Sequence, residues 1–125
     1  MNEKIDAPWI PSKAKDLSHL GAEKHDSRKA PFHLLPPDAI EDVVDVLGDG
    51  AMKYGAHNWR QGAAWSRYSS AALRHIFAWM QGQDCDTESG KPHLAHAICS
   101  LLFLLEYGKH EIGEDNRSSG TSDKV

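Results

Sequence analysis

Apolar residues recur at helical spacing in three separate stretches of this 125-residue chain. The first stretch runs from Pro37 to Tyr54 and begins with a proline, which is favoured at the first position of a helix. The second runs from Arg67 to Gln81 and follows Ser66, a residue type that favours helix N-caps. The third follows Gly90 and continues to Gly108. This pattern predicts an all-α fold, a small bundle of about three main helices within residues 31–110.

The segments that flank the predicted bundle are polar. Residues 1–30 have too few apolar positions to bury much surface, which predicts an extended or partly ordered N-terminal arm. Residues 111–125 are rich in glycine, serine and charge, which predicts a disordered tail. The third stretch carries more leucines than two partner helices can cover, so we expect oligomerisation to complete the bundle as a dimer or tetramer.

Charge and cysteine content narrow the possible partners. The formal net charge of -4 gives no basic footprint, so duplex nucleic acid is not expected as a partner. The longest apolar run, Leu101–Leu105, is far shorter than a membrane span, and the N-terminus lacks a signal-peptide core. Cys85 and Cys99 do not make a disulfide framework. We therefore expect a cytosolic protein without a membrane partner.

Potential metal ligands are concentrated in the stretch from Gly82 to Gly108. An acidic loop leads into a predicted helix whose first turn carries two histidines three residues apart, and hence near one face. Carboxylate and imidazole ligands placed so closely can converge on one ion. We interpret them as a divalent metal site, with His75 as a second-rank candidate. The alternative is that one of the two histidines only packs against a tryptophan. The predicted ligands are Asp86, Glu88, His93 and His96.

A second group of side chains suits a nucleotide. Aromatic, amide and cationic groups follow the first helix, and two arginines seven residues apart share a face of the second. Each tryptophan, taken alone, is more often part of a core. The acidic face of the first helix, which includes Glu41 and Asp45, either meets solvent or helps to hold a cation. The predicted nucleotide-binding residues are Lys53, Asn58, Trp59, Arg67 and Arg74.

Several motifs occur together in one order: GAEK from Gly21, KYGxxNW from Lys53, RH from Arg74 and DxESGxxHLAH from Asp86. In this combination the chain resembles the bacteriophage dATP/dGTP diphosphohydrolase N-terminal domain family, which is linked with the MazG-like all-α NTP pyrophosphohydrolases. The resemblance implies a metal-dependent purine deoxynucleoside triphosphate pyrophosphohydrolase. Such an enzyme converts dGTP or dATP to the monophosphate and pyrophosphate, here in the host cytoplasm if the chain is phage-encoded. The carboxylates expected to act in catalysis are Asp86, Glu88 and Glu41.

The chain departs from the MazG pattern at the metal-binding motifs. It contains no E-E-x-x-E, and His93-x-x-His96 stands where E-x-x-D would open the apolar helix. Mg²⁺ or Mn²⁺ is the cofactor that the resemblance implies, whereas the histidines also suit Zn²⁺ or another transition metal. Two alternatives to the enzyme therefore stay open. One is a non-catalytic nucleotide-binding or sequestering protein, and the other is a helical interaction subunit with a structural metal at His75, Cys85, His93 and His96.

Overall fold

A computed structural model of the chain describes residues 20–118. Three α-helices lie within this range: α1 (Pro37–Tyr54), α2 (Trp65–Met80) and α3 (His93–His110). Short 3-10 helices cover Phe32–Leu34 and Asn58–Gln61. Between residues 20 and 118 there is no β-strand, only two isolated bridges. The predicted all-α fold is confirmed, and α1 has the predicted bounds.

The chain divides into two compact units, with the boundary between Pro36 and Pro37. In the described part of the first unit, residues 20–36, nearly all side chains are exposed and one turn precedes the 3-10 helix. The helical unit thus begins at residue 37, not at residue 31 as the sequence predicted. Proline disfavours helical backbone in the residue before it, which keeps Leu35 and Pro36 out of α1. Residues 1–19 of the predicted arm lie outside the described range.

Helix α3 packs against both α1 and α2 and supplies most of the buried residues. The core cluster between α1 and α3 consists of Val43, Val46, Ala95 and Cys99, with Leu47 packed beside it. These side chains are small, so the two helix backbones can approach closely. No helix between residues 20 and 118 has both the length and the apolar character needed to cross a membrane.

The buried face of α1 is rotated from the one that the sequence predicted. The apolar spacing of this stretch predicts a buried side made of Ile40, Val43, Val44, Leu47, Ala51 and Met52. Of these, Val44 and Met52 are 55% and 90% exposed. Val46, which we did not predict, is buried. Residues 43, 46 and 47 follow the i, i+3, i+4 spacing that directs side chains to one helix face, and that face meets α3. Both valines at 43 and 44 are apolar, so composition alone could not choose between them.

An aromatic cluster joins the 3-10 helix after α1 to the other two helices. Tyr107 of α3 is fully buried and its hydroxyl donates a 2.6 Å hydrogen bond to the Trp59 backbone carbonyl. The Trp59 ring stacks on Phe103 at 5.4 Å between centroids, and Tyr68 of α2 packs edge-on against Phe103 and Tyr107. Burial raises the pKa of Tyr107 to about 12, so this hydroxyl keeps its proton.

The segment after α3 returns to the start of α2. Trp65 Nε1 donates a 2.8 Å hydrogen bond to the Ile112 carbonyl. The Trp65 and Ser66 backbone N–H groups donate to the Glu114 carbonyl and to Asn116 Oδ1. The first turn of α2 is therefore capped by residues about fifty positions later, and its N-cap residue is Ala64. Helix α2 begins two residues before the predicted Arg67, and Ser66 lies inside its first turn.

The same contacts correct the prediction of a disordered tail from residue 111 onwards. Helix α3 continues through Gly108 to His110, and residues 112–117 hold the beginning of α2 by hydrogen bonds. The physical reason is that α2 has exposed backbone donors at its first turn, and a polar segment rich in acceptors satisfies them. Residues 119–125 lie outside the described range.

Candidate metal centre

Three potential ligands converge where α2, the loop before α3 and α3 meet. His75 comes from α2, Asp86 from the loop and His96 from α3, and one ligand atom of each lies within 4.8 Å of the others. The His75 and His96 rings stack in parallel, with 4.5 Å between centroids and 9° between planes. His96 Nε2 is 4.0 Å from Asp86 Oδ2. All three residues are half-buried, so a small ligand can reach them.

The loop from Gly82 to Pro92 holds Asp86 in place through its own backbone. The Asp86 N–H donates to the Lys91 carbonyl at 2.8 Å, and the Gly90 N–H donates to the Asp86 carbonyl at 2.7 Å. Gly90 adopts a φ of 74°, a left-handed conformation that glycine accepts without steric cost. The Glu88 N–H donates to Asp86 Oδ1 at 2.7 Å, and this bond lowers the pKa of the carboxyl group. Asp86 is therefore held ionised.

His93 does not belong to the group of three. It is only 6% exposed, and both of its ring nitrogens lie in short contacts with other side chains. Nδ1 is 2.8 Å from Nδ1 of His75, and Nε2 is 2.7 Å from Oε1 of Gln83. The structure thus places this predicted ligand behind His75, in contact with a ligand candidate.

Ser89 contacts the same ring nitrogen of His96 that faces Asp86. Its hydroxyl oxygen lies 2.7 Å from His96 Nε2 and accepts a 3.1 Å hydrogen bond from the Lys91 N–H. A Ser-His-Asp nucleophile needs the serine and the carboxylate on opposite nitrogens of the imidazole. Here both approach Nε2. The arrangement does not suit a serine nucleophile and is better suited to ligand binding.

The two histidines of the group are held neutral. Burial lowers the pKa of His75 most, and the neighbouring His96 and His93 lower it further. Burial is also the main cause of the lowered pKa of His96, against an opposing effect from Asp86. Neutral imidazoles keep the lone pair that a metal ion needs.

These shifts predict a pH dependence of stability in the chelator-treated protein. Both histidines have a lower pKa in the folded than in the unfolded chain, so the unfolded chain binds more protons below about pH 6.5. The free energy of unfolding should therefore fall as the pH drops from 7.5 through 6.5, and level off below the folded-state values. Urea unfolding across this range measures it. His75→Gln and His96→Gln should each flatten the curve, and an unchanged slope in both would contradict the assignment.

The remaining predicted acidic residues lie at the edge of the site or away from it. Glu88 is 84% exposed at its side chain, with Oε2 3.9 Å from Lys53 Nζ. Lys91 Nζ is 3.2 Å from Asp49 Oδ2, which connects the loop to α1. Glu41 is exposed in the first half of α1. None of these carboxylates is brought into the group of three, whereas Asp86 is.

The predicted nucleotide-binding residues fall into two places. Arg74 is exposed immediately before His75, and its positive charge acts on that imidazole. Asn58 and Trp59 lie on the 3-10 helix beside Phe103, which is seven residues, or about 10 Å along α3, from His96. The Trp59 ring is partly covered by Phe103 and by the guanidinium of Arg60 at 5.4 Å.

The other two predicted nucleotide-binding cations, Lys53 and Arg67, are both exposed. Lys53 is exposed in the last turn of α1, near Glu88. Arg67 is exposed near the start of α2, two turns before Arg74. Of the predicted cations, Lys53 thus lies near Glu88 of the loop, and Arg74 lies near His75.

The structure brings His75, a second-rank candidate in the sequence, into the group of three, and sequence reasoning did not identify Gln83 or Ser89. The signal for His75 was present: Tyr68, Ala72 and His75 follow i, i+4, i+7, which places them on one face of α2. Tyr68 packs against α3, so that face is the one turned to the His93-x-x-His96 motif. No comparable signal pointed to Gln83 or Ser89, because both lie in irregular loop backbone.

Comparisons with known proteins agree with the motifs. The family model described as dATP/dGTP diphosphohydrolase, N-terminal, matches residues 19–117, which include all three members of the group. A protein of Salmonella phage PMBT28 named dATP/dGTP diphosphohydrolase is 41% identical over 82 residues, 66% of this chain and 28% of that relative. The chain thus spans less than a third of the relative's length. No solved structure is significantly similar. On the family match, this chain belongs to the dATP/dGTP diphosphohydrolase N-terminal family.

Proposed function

We propose that the chain acts as a metal-dependent diphosphohydrolase of purine deoxynucleoside triphosphates, converting dATP or dGTP to the monophosphate and pyrophosphate. The observation that carries the proposal is the convergence of His75, Asp86 and His96, from three separate elements, in a member of this family. The name of the phage relative supports the same substrate class.

The chemistry of the three side chains fits a divalent ion. Two bonds of about 2.1 Å to one ion hold their ligand atoms at most about 4.2 Å apart. The observed separations, all within 4.8 Å, are already close to that limit. Two neutral imidazoles and one carboxylate suit Mn²⁺, Fe²⁺, Co²⁺ or Zn²⁺ better than Mg²⁺, which prefers an oxygen shell. We therefore propose a transition metal as the native cofactor, held by His75, Asp86 and His96.

A bound divalent ion supplies charge neutralisation at phosphate oxygens and a more acidic water. The residues of the chain provide the rest. Exposed Arg74 and Lys53 can pair with the phosphate chain, and Arg67 extends this cationic face along α2. Glu88 has the exposure to accept a proton from an attacking water, with Glu41 as the alternative carboxylate. Asn58 remains our proposed base-reading side chain, with Trp59 as its support.

Product analysis tests the proposed function. Purified protein is treated with a chelator and incubated with dATP, dGTP, dCTP or dTTP, with Mn²⁺, Zn²⁺ or Mg²⁺ added separately. The expected result is monophosphate and pyrophosphate in equal amounts from the purine nucleotides, only when metal is present. Release of orthophosphate with a diphosphate, or equal turnover in the chelator, would contradict the proposal.

A second candidate is a protein that binds the nucleotide without cleaving it. The absence of E-E-x-x-E from the sequence favours this candidate, because the MazG-like enzymes hold their metals with that motif. Calorimetric binding of dATP or dGTP to the metal-loaded protein, with no product after prolonged incubation, would select it over the enzyme.

We also predict that α3 associates with a second copy of the chain, giving a dimer or tetramer. Leu101, Leu102 and Leu105 are 44%, 40% and 63% exposed, and exposed leucines along one helix are typical of an interface. Light scattering should give two or four times the 13.9 kDa chain mass at micromolar concentration. Leu105→Glu should lower that mass, and Met52→Glu, at a position 90% exposed on α1, is the matched control. A single-chain mass for the unaltered protein would refute the prediction.

A further inference from the structure

Behind the metal centre, three side chains form a continuous hydrogen-bonded row. Gln83 lies in the turn after α2, His93 opens α3 and His75 lies on α2. Gln83 Oε1 is 2.7 Å from His93 Nε2, and His93 Nδ1 is 2.8 Å from His75 Nδ1. His93 is 6% exposed, so water competes little for its two nitrogens. Each of the two contacts must therefore contain one donor and one acceptor.

The amide oxygen at one end decides where every proton in the row lies. A carbonyl oxygen only accepts, so His93 Nε2 must carry a hydrogen and donate it to Gln83. In its neutral form His93 has a single N–H, so Nδ1 of His93 is then an acceptor. Nδ1 of His75 must then be the donor to His93. The remaining nitrogen of His75, Nε2, is left with its lone pair.

We infer that Gln83, acting through the buried His93, fixes His75 in the tautomer whose Nε2 can bind a metal ion. This inference rests on the proposed function, since it assigns a positioning role toward the same centre. The direction of hydrogen-bond donation, from His75 to His93 and from His93 to Gln83, decides which nitrogen of His75 is free for a metal ion. A donor at position 83 would reverse both hydrogen bonds and put a proton on His75 Nε2, where a metal ion would have to bind. Outer partners that orient histidine ligands in this way typically contribute 10- to 100-fold to metal affinity.

In this arrangement His93 is not a metal ligand. His75 and His96 stack face to face and share the group with Asp86, whereas His93 has both nitrogens engaged in the row. His93 is therefore a positioning residue, and in a zinc-loaded protein the metal should shift the ring signals of His75 and His96 but not those of His93.

Substitution of Gln83 tests the inference without disturbing the core, because this side chain is exposed. Gln83→Met removes the acceptor without adding charge, and Gln83→Glu retains an acceptor. Gln81→Met and Gln81→Glu, at an exposed position in the same turn, are matched controls for side-chain length and for charge. Zn²⁺ and Mn²⁺ are titrated calorimetrically into each chelator-treated protein at one pH. We expect Gln83→Met to weaken metal binding about 10-fold, the lower end of the range for outer partners. Gln83→Glu should keep at least the affinity of its Gln81→Glu control.

Nitrogen-15 NMR of the histidine rings gives the second readout. In the metal-free protein, His75 should be protonated at Nδ1 and His93 at Nε2, and Gln83→Met should produce a mixture of tautomers at His75. Unaltered affinity in Gln83→Met together with an unaltered His75 tautomer would overturn the inference. A metal-induced shift at His93 in the zinc-loaded protein would overturn it as well. Failure of the proposed metal centre is distinguishable, because the unaltered protein would then bind no metal while the metal-free spectra would still decide the tautomer.

Discussion

Alanine at His96 or at His75 is expected to abolish metal binding and, with it, turnover of the purine nucleotide. Each substitution removes one of only three ligands that the described residues bring together. Since outer partners of a metal site already contribute 10- to 100-fold, loss of a direct ligand should lower metal affinity by more than about 100-fold. Calorimetric titration with Zn²⁺ or Mn²⁺ and product analysis with dGTP measure the two losses. The helical circular-dichroism spectrum should persist, since both residues are only half-buried.

Two further variants make this prediction specific. His110→Ala changes an exposed histidine of the same helix, whose Nε2 lies 3.3 Å from Glu106, and should leave metal binding unchanged. His93→Ala should cause a smaller loss of affinity than His96→Ala, because His93 supports a ligand from behind. If His75→Ala and His96→Ala both retain full metal content and full turnover, the site lies elsewhere. Glu41 and Asp45 on α1 would then be the next residues to replace.

Truncation of Tyr107 is expected to cause the largest loss of stability. Its side chain is fully buried, contacts the rings of Trp59 and Tyr68, and donates a hydrogen bond to the Trp59 carbonyl. Tyr107→Ala should lower the free energy of unfolding by about 3–5 kcal/mol, as for other buried aromatic residues. Tyr107→Phe keeps the ring and removes one of the two hydrogen bonds that the Trp59 carbonyl accepts, the other coming from the Gly62 N–H, at a cost of about 0.5–1.5 kcal/mol. Urea unfolding followed by circular dichroism measures both.

The expected loss in Tyr107→Ala is large compared with the free energy of unfolding of a small domain. A domain of this size is expected near the lower end of the usual range of about 5–15 kcal/mol of stability, so a loss of about 3–5 kcal/mol should remove most of it. Met52→Ala, at a position 90% exposed on α1, is the control and should change stability by less than about 0.5 kcal/mol. A Tyr107→Ala variant as stable as this control would show that the aromatic cluster does not hold α3 to the 3-10 helix.

The sequence alone was sufficient for the helices and for the family. Helix α1 has the predicted bounds because a proline at its start and Gly55 after its end are local signals. The motifs that carry the family resemblance are likewise local, and the family match covers them. The acidic loop and the two histidines of α3 were recognised as a candidate site because their ligand types are adjacent in sequence.

Tertiary packing decided which of those residues meet. His93 and His96 are three positions apart, which separates their side chains by about 60° around the helix axis. The rotation of α3 against α2 turns His96 toward Asp86 and His93 toward Gln83, and it brings His75 in as the third member of the group. Sequence spacing could place both histidines near one face. It could not choose between them, because the choice depends on how one helix is rotated against another.

The segment after α3 is also ordered by contacts that are distant in sequence. Composition predicted disorder after residue 110, yet Asn116 and Glu114 cap the first turn of α2. Local patterns determine which segments become helices, since each backbone hydrogen bond of a helix joins residues four apart. The partners of α2's first N–H groups are about fifty residues away in the chain, so only the folded structure could supply them.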